Sequence, residues 1–318
     1  MKCVSRDLHA LFMTAVFILV ALSGCSSKNG NDDAATDRKS APLTWVPEME
    51  ELGSISYSGI HEEALTLVEG QWEGEPVEDG AASRPAVVLV EDFYLHGDLD
   101  GEWPPEAVIT LWETSGGSAV NTYVAIVSRR DGHAVNTATA LVGDRVQLRA
   151  GRIADGRIEL DLVRQGPNDA ACCPTETVTR IWEKGPDGLR EVEQRNIGSL
   201  SLADIEGEEW QLEKMTRDEA VPDGLVVTLI FINDRISGRA GCNNYFGSLT
   251  AGDRPWEMTL GKIGSTRMAC PPAAMELENR YLQALSGVTG FGFLNGRLAL
   301  TWQQEGVVST LLFTPRDE

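Results

Sequence analysis

The chain has 318 residues, a formal net charge of −21 and 42% hydrophobic residues. A strongly negative charge opposes binding to nucleic acid or bare anionic lipid, because both partners require cationic side chains that displace counterions. We therefore expect no nucleic-acid partner, and the length suffices for two domains.

The N-terminus has the pattern of an export signal. Lys2 and Arg6 precede an apolar run over residues 11–22, and small residues follow up to Cys25. The run is about half as long as the roughly 20 residues that a membrane-spanning helix needs. The pattern predicts a signal peptide over residues 1–24.

Leu22-Ser23-Gly24-Cys25 resembles the lipobox of bacterial lipoproteins, in which the cysteine carries a diacylglyceryl group. The resemblance implies that Cys25 is the lipidation site and holds the protein to a membrane. The alternative is a cleaved signal without lipid. By the sorting rule of lipoproteins, Asp after the cysteine retains the protein at the inner membrane, and Ser26 stands there instead. We expect the outer membrane, facing the periplasm.

A polar segment follows the predicted cleavage site. Residues 26–47 are rich in Ser, Asn, Asp, Ala and Pro, and few large apolar side chains are available to offset the entropy cost of ordering. The composition predicts a lipid-anchored flexible tether over residues 25–59.

Residues 60–197 have the pattern of an all-β domain of unknown function. Short apolar runs, such as residues 86–90, 107–112 and 123–127, are separated by turn residues at intervals of about ten. Asp131-Gly132 and Asp155-Gly156 lie between such runs, where positive-φ residues close tight hairpins. We predict antiparallel strands and no helix here.

Asp98 and Asp100 are the candidate metal ligands, since two carboxylates followed by Gly101 can curve around a hard cation. An EF-hand loop starting at Asp98 would need Gly and Glu where Trp103 and Ile109 stand, so that motif fails. The alternative is an acidic turn. We assign no cofactor, and no nucleophile, metalloprotease or nucleotide-binding motif is present, so we predict that the protein is not an enzyme.

Residues 198–318 repeat the β pattern and add one helix. Asn233-Asp234 and Asn295-Gly296 are predicted hairpin turns. Residues 271–288 begin with Pro and carry apolar side chains at helical spacing, which predicts a helix whose apolar face packs on the core.

Within this second region three segments resemble the META domain, also called HslJ-like, over residues 209–318. They are the glycine-rich segment 238–247, which contains Gly-Cys-Asn-Asn, the segment 265–271, which reads Ser-Thr-Arg-Met-Ala-Cys-Pro, and the helical segment 276–285. The resemblance implies a small barrel or curled antiparallel sheet with one helix, on a secreted or lipid-anchored protein linked to envelope stress and antibiotic tolerance. It implies no known catalytic activity.

Four cysteines remain after Cys3 is removed and Cys25 is acylated, and four cysteines allow three disulfide connectivities. The META resemblance implies a disulfide between Cys242 and Cys270, the alternative being two buried free thiols. Cys172 and Cys173 then remain as a second pair. Neighbouring cysteines close a strained eight-membered ring, so this pair is a redox element, is bonded elsewhere, or consists of free thiols.

We expect a mainly β protein: a non-enzymatic envelope lipoprotein, serving as a binding or structural accessory in envelope integrity or stress tolerance. Its expected partners are the membrane, through the lipid, and an envelope protein. One alternative is a carrier or sensor for an apolar small molecule, and another is an envelope hydrolase.

Overall fold

The computed structural model describes residues 46–76, 83–170 and 172–316. Cys25, the signal peptide and most of the predicted tether lie outside the described residues. The described residues belong to one compact unit, Leu43–Glu318, and the domain boundary at residues 197/198 stays a prediction. Among them, no helix combines the length and apolar character that crossing a membrane requires.

The first described segment is folded where the sequence predicted the end of the tether. Leu52 and Tyr57 are fully buried, and the Tyr57 hydroxyl donates a 2.8 Å hydrogen bond to the Leu52 carbonyl. These apolar side chains cover one face of a sheet. The prediction of a flexible tether over residues 25–59 is therefore wrong at its C-terminal end. The elements are α1 (Met49–Leu52), β1 (Ser56–Tyr57) and β2 (Leu65–Thr66).

A five-stranded antiparallel sheet follows, its strands paired in chain order: β3 (Gln71–Glu73), β4 (Ala86–Gly97), β5 (Glu106–Thr114), β6 (Asn121–Arg130) and β7 (His133–Asp144). One face packs against α1, β1 and β2, so that Leu52 and Tyr57 share a core with Ile109 and Leu111. The central strand β5 is thus buried on both faces, which explains its continuous apolar run.

A second, four-stranded sheet contains β8 (Gln147–Ala154), β9 (Arg157–Arg164), β10 (Glu176–Gly185) and β11 (Gly188–Ser199), again in chain order. Val124 and Ile126 of β6 share a core with Leu160 of β9 and Trp182 of β10, so the two sheets pack face to face. Asp131 and Asp155 have φ of 50° and 52°, which confirms the predicted hairpin turns.

The remaining strands form one ten-stranded antiparallel sheet: β12 (Glu209–Thr216), β13 (Glu219–Ala220), β14 (Thr228–Ile232), β15 (Arg235–Arg239), β16 (Asn244–Ala251), β17 (Met258–Leu260), β18 (Gly264–Ser265), β19 (Val288–Leu294), β20 (Arg297–Gln304) and β21 (Val307–Pro315). Its main path runs β17-β16-β15-β14-β12-β21-β20-β19. The end strands meet through a bridge between Glu257 and Gly290, so the sheet is a nearly closed barrel. The mainly β fold predicted from the sequence is confirmed.

The predicted helix is present as α2 (Pro272–Ser286). Its buried side chains, including Leu277, Tyr281 and Leu285, share one core with Trp210, Phe231 and Phe313 from the sheet. Side chains therefore fill the interior of the curled sheet.

Candidate functional site

The glycine-rich segment at the β15–β16 hairpin needs two of its glycines for local geometry. A Cβ on Gly238 would lie 2.0 Å from the carbonyl oxygen of Thr228 on the neighbouring strand, a distance that real Cβ atoms do not show. Gly241 has φ of +80°, the left-handed region that favours glycine. Side chains other than hydrogen are therefore excluded at the first position and strained at the second.

Asn243 is the centre of a buried polar network next to this hairpin, and it is only 3% exposed. Its Nδ2 donates to both carboxylate oxygens of Glu278 on α2, at 3.2 and 3.0 Å, and its backbone N–H donates to Glu278 Oε2 at 3.0 Å. Its Oδ1 accepts hydrogen bonds from Thr266 Oγ1 at 2.8 Å and from Met268 N at 2.7 Å. One amide thus holds the helix and the 265–271 segment to the hairpin.

Cys242 and Cys270 join the same two segments. Their sulfur atoms lie within bonding distance and their Cα atoms are 6.1 Å apart, inside the range of protein disulfides. This pair is the one that the META resemblance implies. Cys242 is 2% exposed, so the bond would lie largely inside the protein.

A tyrosine pair extends the polar network into the core. The hydroxyls of Tyr245 and Tyr281 lie 2.7 Å apart, and Tyr245 also donates to the Thr228 carbonyl at 2.8 Å. Burial holds the pKa of both phenols above the usual range. Both therefore remain neutral donors at ordinary pH.

These contacts explain the META-like motif in structural terms. The side-chain amide of Asn243 bonds Glu278, Thr266 and Met268, which lie in two other segments of the chain. Glu278 was missed as a partner, because it lies 35 positions from Asn243 along the chain and spacing patterns indicate only local contacts. A carboxylate on the otherwise apolar face of the helix is the one sequence feature that indicates such a contact.

The candidate metal ligands lie in an acidic cluster at the β4–β5 turn. Asp98, Asp100 and Glu106 offer oxygen atoms that all lie within 4.8 Å of one another, and Glu106 was not predicted. Asp98 Oδ1 accepts from the backbone N–H of Gly101 at 2.7 Å, which is an acidic-turn geometry.

A lysine from β10 reaches this cluster. Lys184 Nζ lies 2.6 Å from Asp100 Oδ2 and also contacts Glu106 Oε1. Burial opposes charge on both Asp100 and Lys184, but their mutual hydrogen bond and attraction lower the pKa of Asp100 and raise the pKa of Lys184. The ammonium group thus neutralises part of the cluster, which favours the acidic-turn interpretation.

A groove of about 380 Å³ runs between the four-stranded sheet and the curled sheet. We call it the Trp256 groove. It is lined mainly by apolar and aromatic side chains together with the adjacent cysteines, among them Cys172, Cys173, Pro174, Trp256, Phe291 and Phe293.

The sulfur atoms of Cys172 and Cys173 lie within bonding distance of each other, on the loop between β9 and β10. Asp169 fixes this loop: its Oδ2 accepts from the backbone N–H groups of Gly166 at 2.8 Å and Thr175 at 2.7 Å. Burial acts against the charged carboxylate, but these hydrogen bonds prevail and lower the pKa of Asp169. The cysteines are therefore presented on a braced loop.

Contacts at the groove and near it also join the two β regions. Gln147 at the start of β8 accepts a 2.9 Å hydrogen bond from the Phe293 N–H of β19. Arg149 forms a 2.9 Å ion pair with Asp204 and lies over the Phe293 ring, 4.9 Å from its centroid. Arg297 of β20 lies 3.3 Å from Asp92 of β4.

Comparison with known proteins identifies the C-terminal region. Residues 203–317 match the family model of the META domain, which confirms the resemblance inferred from the motifs. A search of curated proteins finds no match. Among solved structures, an NMR structure of a protein from Burkholderia xenovorans is similar, with 29% identity over 36% of this chain and 85% of that chain, and a TM-score of 0.29.

Proposed function

Because residues 203–317 form a META domain, we propose that this protein is a non-enzymatic accessory of the bacterial envelope, held at the outer membrane by lipid on Cys25. In this proposal the folded part binds an envelope protein and thereby supports envelope integrity or stress tolerance.

The Asn243 network is the observation that carries the non-enzymatic part of the proposal. Catalytic groups must be free to meet a substrate. Here both Asn243 and Glu278 are buried, and the amide groups of Asn243 bond to protein partners on both sides. These two polar residues of the META domain thus stabilise the scaffold, which leaves the surface of the domain for binding.

Charge supports anchoring through lipid. Removal of residues 1–24, which carry Lys2, Arg6 and Asp7, takes the net charge from −21 to −22. A protein of this charge is repelled by anionic lipid headgroups, so a covalent lipid on Cys25 supplies the attraction to the membrane.

An apolar-ligand carrier would use a different part of the molecule. Side chains such as Tyr281, Phe231 and Phe313 fill the interior of the curled sheet, so a ligand would have to bind outside it. The filled interior favours a protein partner over a carrier role.

In vivo crosslinking tests this proposal. Full-length protein with a C-terminal tag is crosslinked in intact cells and purified, and Cys25→Ser, which removes the acylated thiol, serves as the control. We expect the same envelope protein to be enriched in every replicate with the wild type and to be depleted with the control. Equal recovery in both samples, or turnover of envelope substrates by the purified protein, would contradict the proposal.

A further inference from the structure

The loop between β9 and β10 combines three features that the proposed function does not use. It carries two adjacent cysteines, it is braced by Asp169, and it forms one rim of the Trp256 groove. Cys172 is exposed and Cys173 is half-buried. The pair is therefore reached from solvent on the Cys172 side, beside an apolar surface.

We propose that Cys172 and Cys173 form an exchangeable disulfide, which takes two electrons from the dithiol of an envelope thiol–disulfide oxidoreductase docked in the Trp256 groove. The Cys242–Cys270 bond is the permanent, structural disulfide of the same chain.

The chemistry of exchange requires an accessible sulfur and a good leaving thiolate. A thiolate of the partner attacks Cys172 Sγ, the bond between the two protein sulfurs breaks, and Cys173 leaves as a thiolate. The second partner thiolate then attacks the mixed disulfide and releases Cys172. The partner ends as a disulfide, and both protein cysteines end as thiols after taking up two protons from solvent and from the partner thiols.

Ring size makes this pair easier to reduce than the other. Adjacent cysteines close an eight-membered ring around one peptide bond, with Cα atoms 3.8 Å apart, below the usual range of about 4.4–6.8 Å. Strained and exposed disulfides are the labile ones. Cys242 and Cys270, separated by 28 residues and with Cα atoms 6.1 Å apart, carry no such constraint.

The groove indicates a protein reductant rather than a free small thiol. Half-buried Trp256 lies with Pro174, Phe291 and Phe293 along the wall beside the cysteines. A protein reductant can bury this apolar wall as it reaches the sulfur, because the centre of a protein interface is apolar, whereas a small thiol needs only an exposed sulfur. In this protein the Cys172–Cys173 pair lies next to the apolar wall of the groove.

A reductant titration tests the exchangeable bond. The full-length, air-oxidised protein in detergent is equilibrated with a dithiothreitol series and alkylated, and the cysteine peptides are quantified by mass spectrometry. We expect half-reduction of Cys172–Cys173 at a dithiothreitol concentration at least tenfold lower than that for Cys242–Cys270. Equal midpoints, the reverse order, or alkylation of Cys172 and Cys173 without reductant would overturn the proposal.

The docking part is tested with reduced thioredoxin as the probe. Trp256→Ala should slow reduction of Cys172–Cys173 by thioredoxin at least tenfold, while the rate with dithiothreitol stays within twofold. The matched control Phe246→Ala removes an aromatic side chain that is 58% exposed and outside the groove, and should change neither rate.

Trp256 also packs on the core of the curled sheet, so a second variant guards against misfolding. Arg217 is exposed and lines the groove, and Arg217→Glu should slow the thioredoxin reaction at least threefold without affecting the dithiothreitol rate. If both variants react with thioredoxin at the wild-type rate, the groove is not the docking surface and the proposal fails.

Discussion

At the scale of single residues, Asn243 joins more of the META domain than any local pattern indicates. The Gly-Cys-Asn-Asn motif is part of the resemblance to the META domain, and it lies in the hairpin between β15 and β16. The partners Thr266, Met268 and Glu278 lie 23 to 35 residues away along the chain. Contacts at such separations depend on how sheet and helix pack, so the motif by itself does not indicate the buried network.

The first prediction concerns this network. Asn243→Leu removes hydrogen bonds and leaves the Glu278 carboxylate buried without its amide donor, so we expect a loss of about 3 kcal/mol in the free energy of unfolding. Urea denaturation at pH 7 measures it. Asn244→Leu, at an exposed neighbouring position, should cost below about 0.5 kcal/mol. Equal losses in the two variants would show that the network is not stabilising.

The tyrosines give a second prediction, on pH. Burial raises the pKa of all five: Tyr57, Tyr94, Tyr123, Tyr245 and Tyr281. The fold favours the neutral phenols, so their contribution to stability is complete below about pH 10, the pKa of tyrosine in unfolded chains, and is lost as the pH rises towards the folded pKa.

Absorbance at 295 nm, followed together with circular dichroism during alkaline titration, tests the pH prediction. We expect tyrosinate to form above pH 10, the most deeply buried phenols ionising only as the fold is lost. Ionisation of all five near pH 10 with the fold intact would contradict it.

Among the helices and strands, hydrophobic periodicity and turn residues correctly predict the longer elements and several of the hairpins. The predicted helix and the positive-φ turn at Asn295-Gly296 are both present. Alternating or continuous apolar runs indicate which side chains are buried. Residue pairs that readily adopt positive φ, such as Asn-Gly and Asp-Gly, indicate hairpin turns. The sequence fails where an element is short: α1 and β1 are ordered by the sheet face that Leu52 and Tyr57 cover, and tertiary contacts of this kind leave no periodic signal.

The third prediction compares the two cysteine pairs. Replacing Cys242 and Cys270 by Ala opens a loop closed across 28 residues, which should cost roughly 3 to 4 kcal/mol if disulfides act through the entropy of the unfolded chain. Replacing Cys172 and Cys173 by Ala frees only a two-residue ring, so the same relation gives about 1 kcal/mol. Thermal unfolding of the oxidised proteins distinguishes them. A larger loss for Cys172 and Cys173 would contradict the structural role of Cys242–Cys270.

At the scale of the whole molecule, the two β regions share a wall of contacts. Gln147, Arg149 and Arg297 reach across it to Phe293, Asp204 and Asp92. The sequence predicted the β character of each region but not the residues that join the two. Nothing in their spacing marks them, because the contact joins positions as far as 205 residues apart.

The fourth prediction tests this wall. Gln147→Ala leaves the Phe293 N–H without its acceptor, so we expect a loss of about 1 to 3 kcal/mol. Unfolding is measured by intrinsic fluorescence. Because the contacts join the two β regions, we expect the wild-type protein to unfold in a single transition. Gly117→Ala, where a Cβ meets no atom within 4 Å, is the neutral control. A Gln147→Ala protein as stable as this control would show that the contact contributes nothing.

The proposed location at the membrane depends on Cys25. Cells expressing the full chain are fed a labelled fatty acid, and the protein is recovered from separated membrane and soluble fractions. We predict label on the wild-type protein in the outer-membrane fraction, and none on Cys25→Ser, which should accumulate in the periplasm or the medium. Unlabelled wild-type protein in the soluble fraction would show that the protein is not anchored by lipid on Cys25.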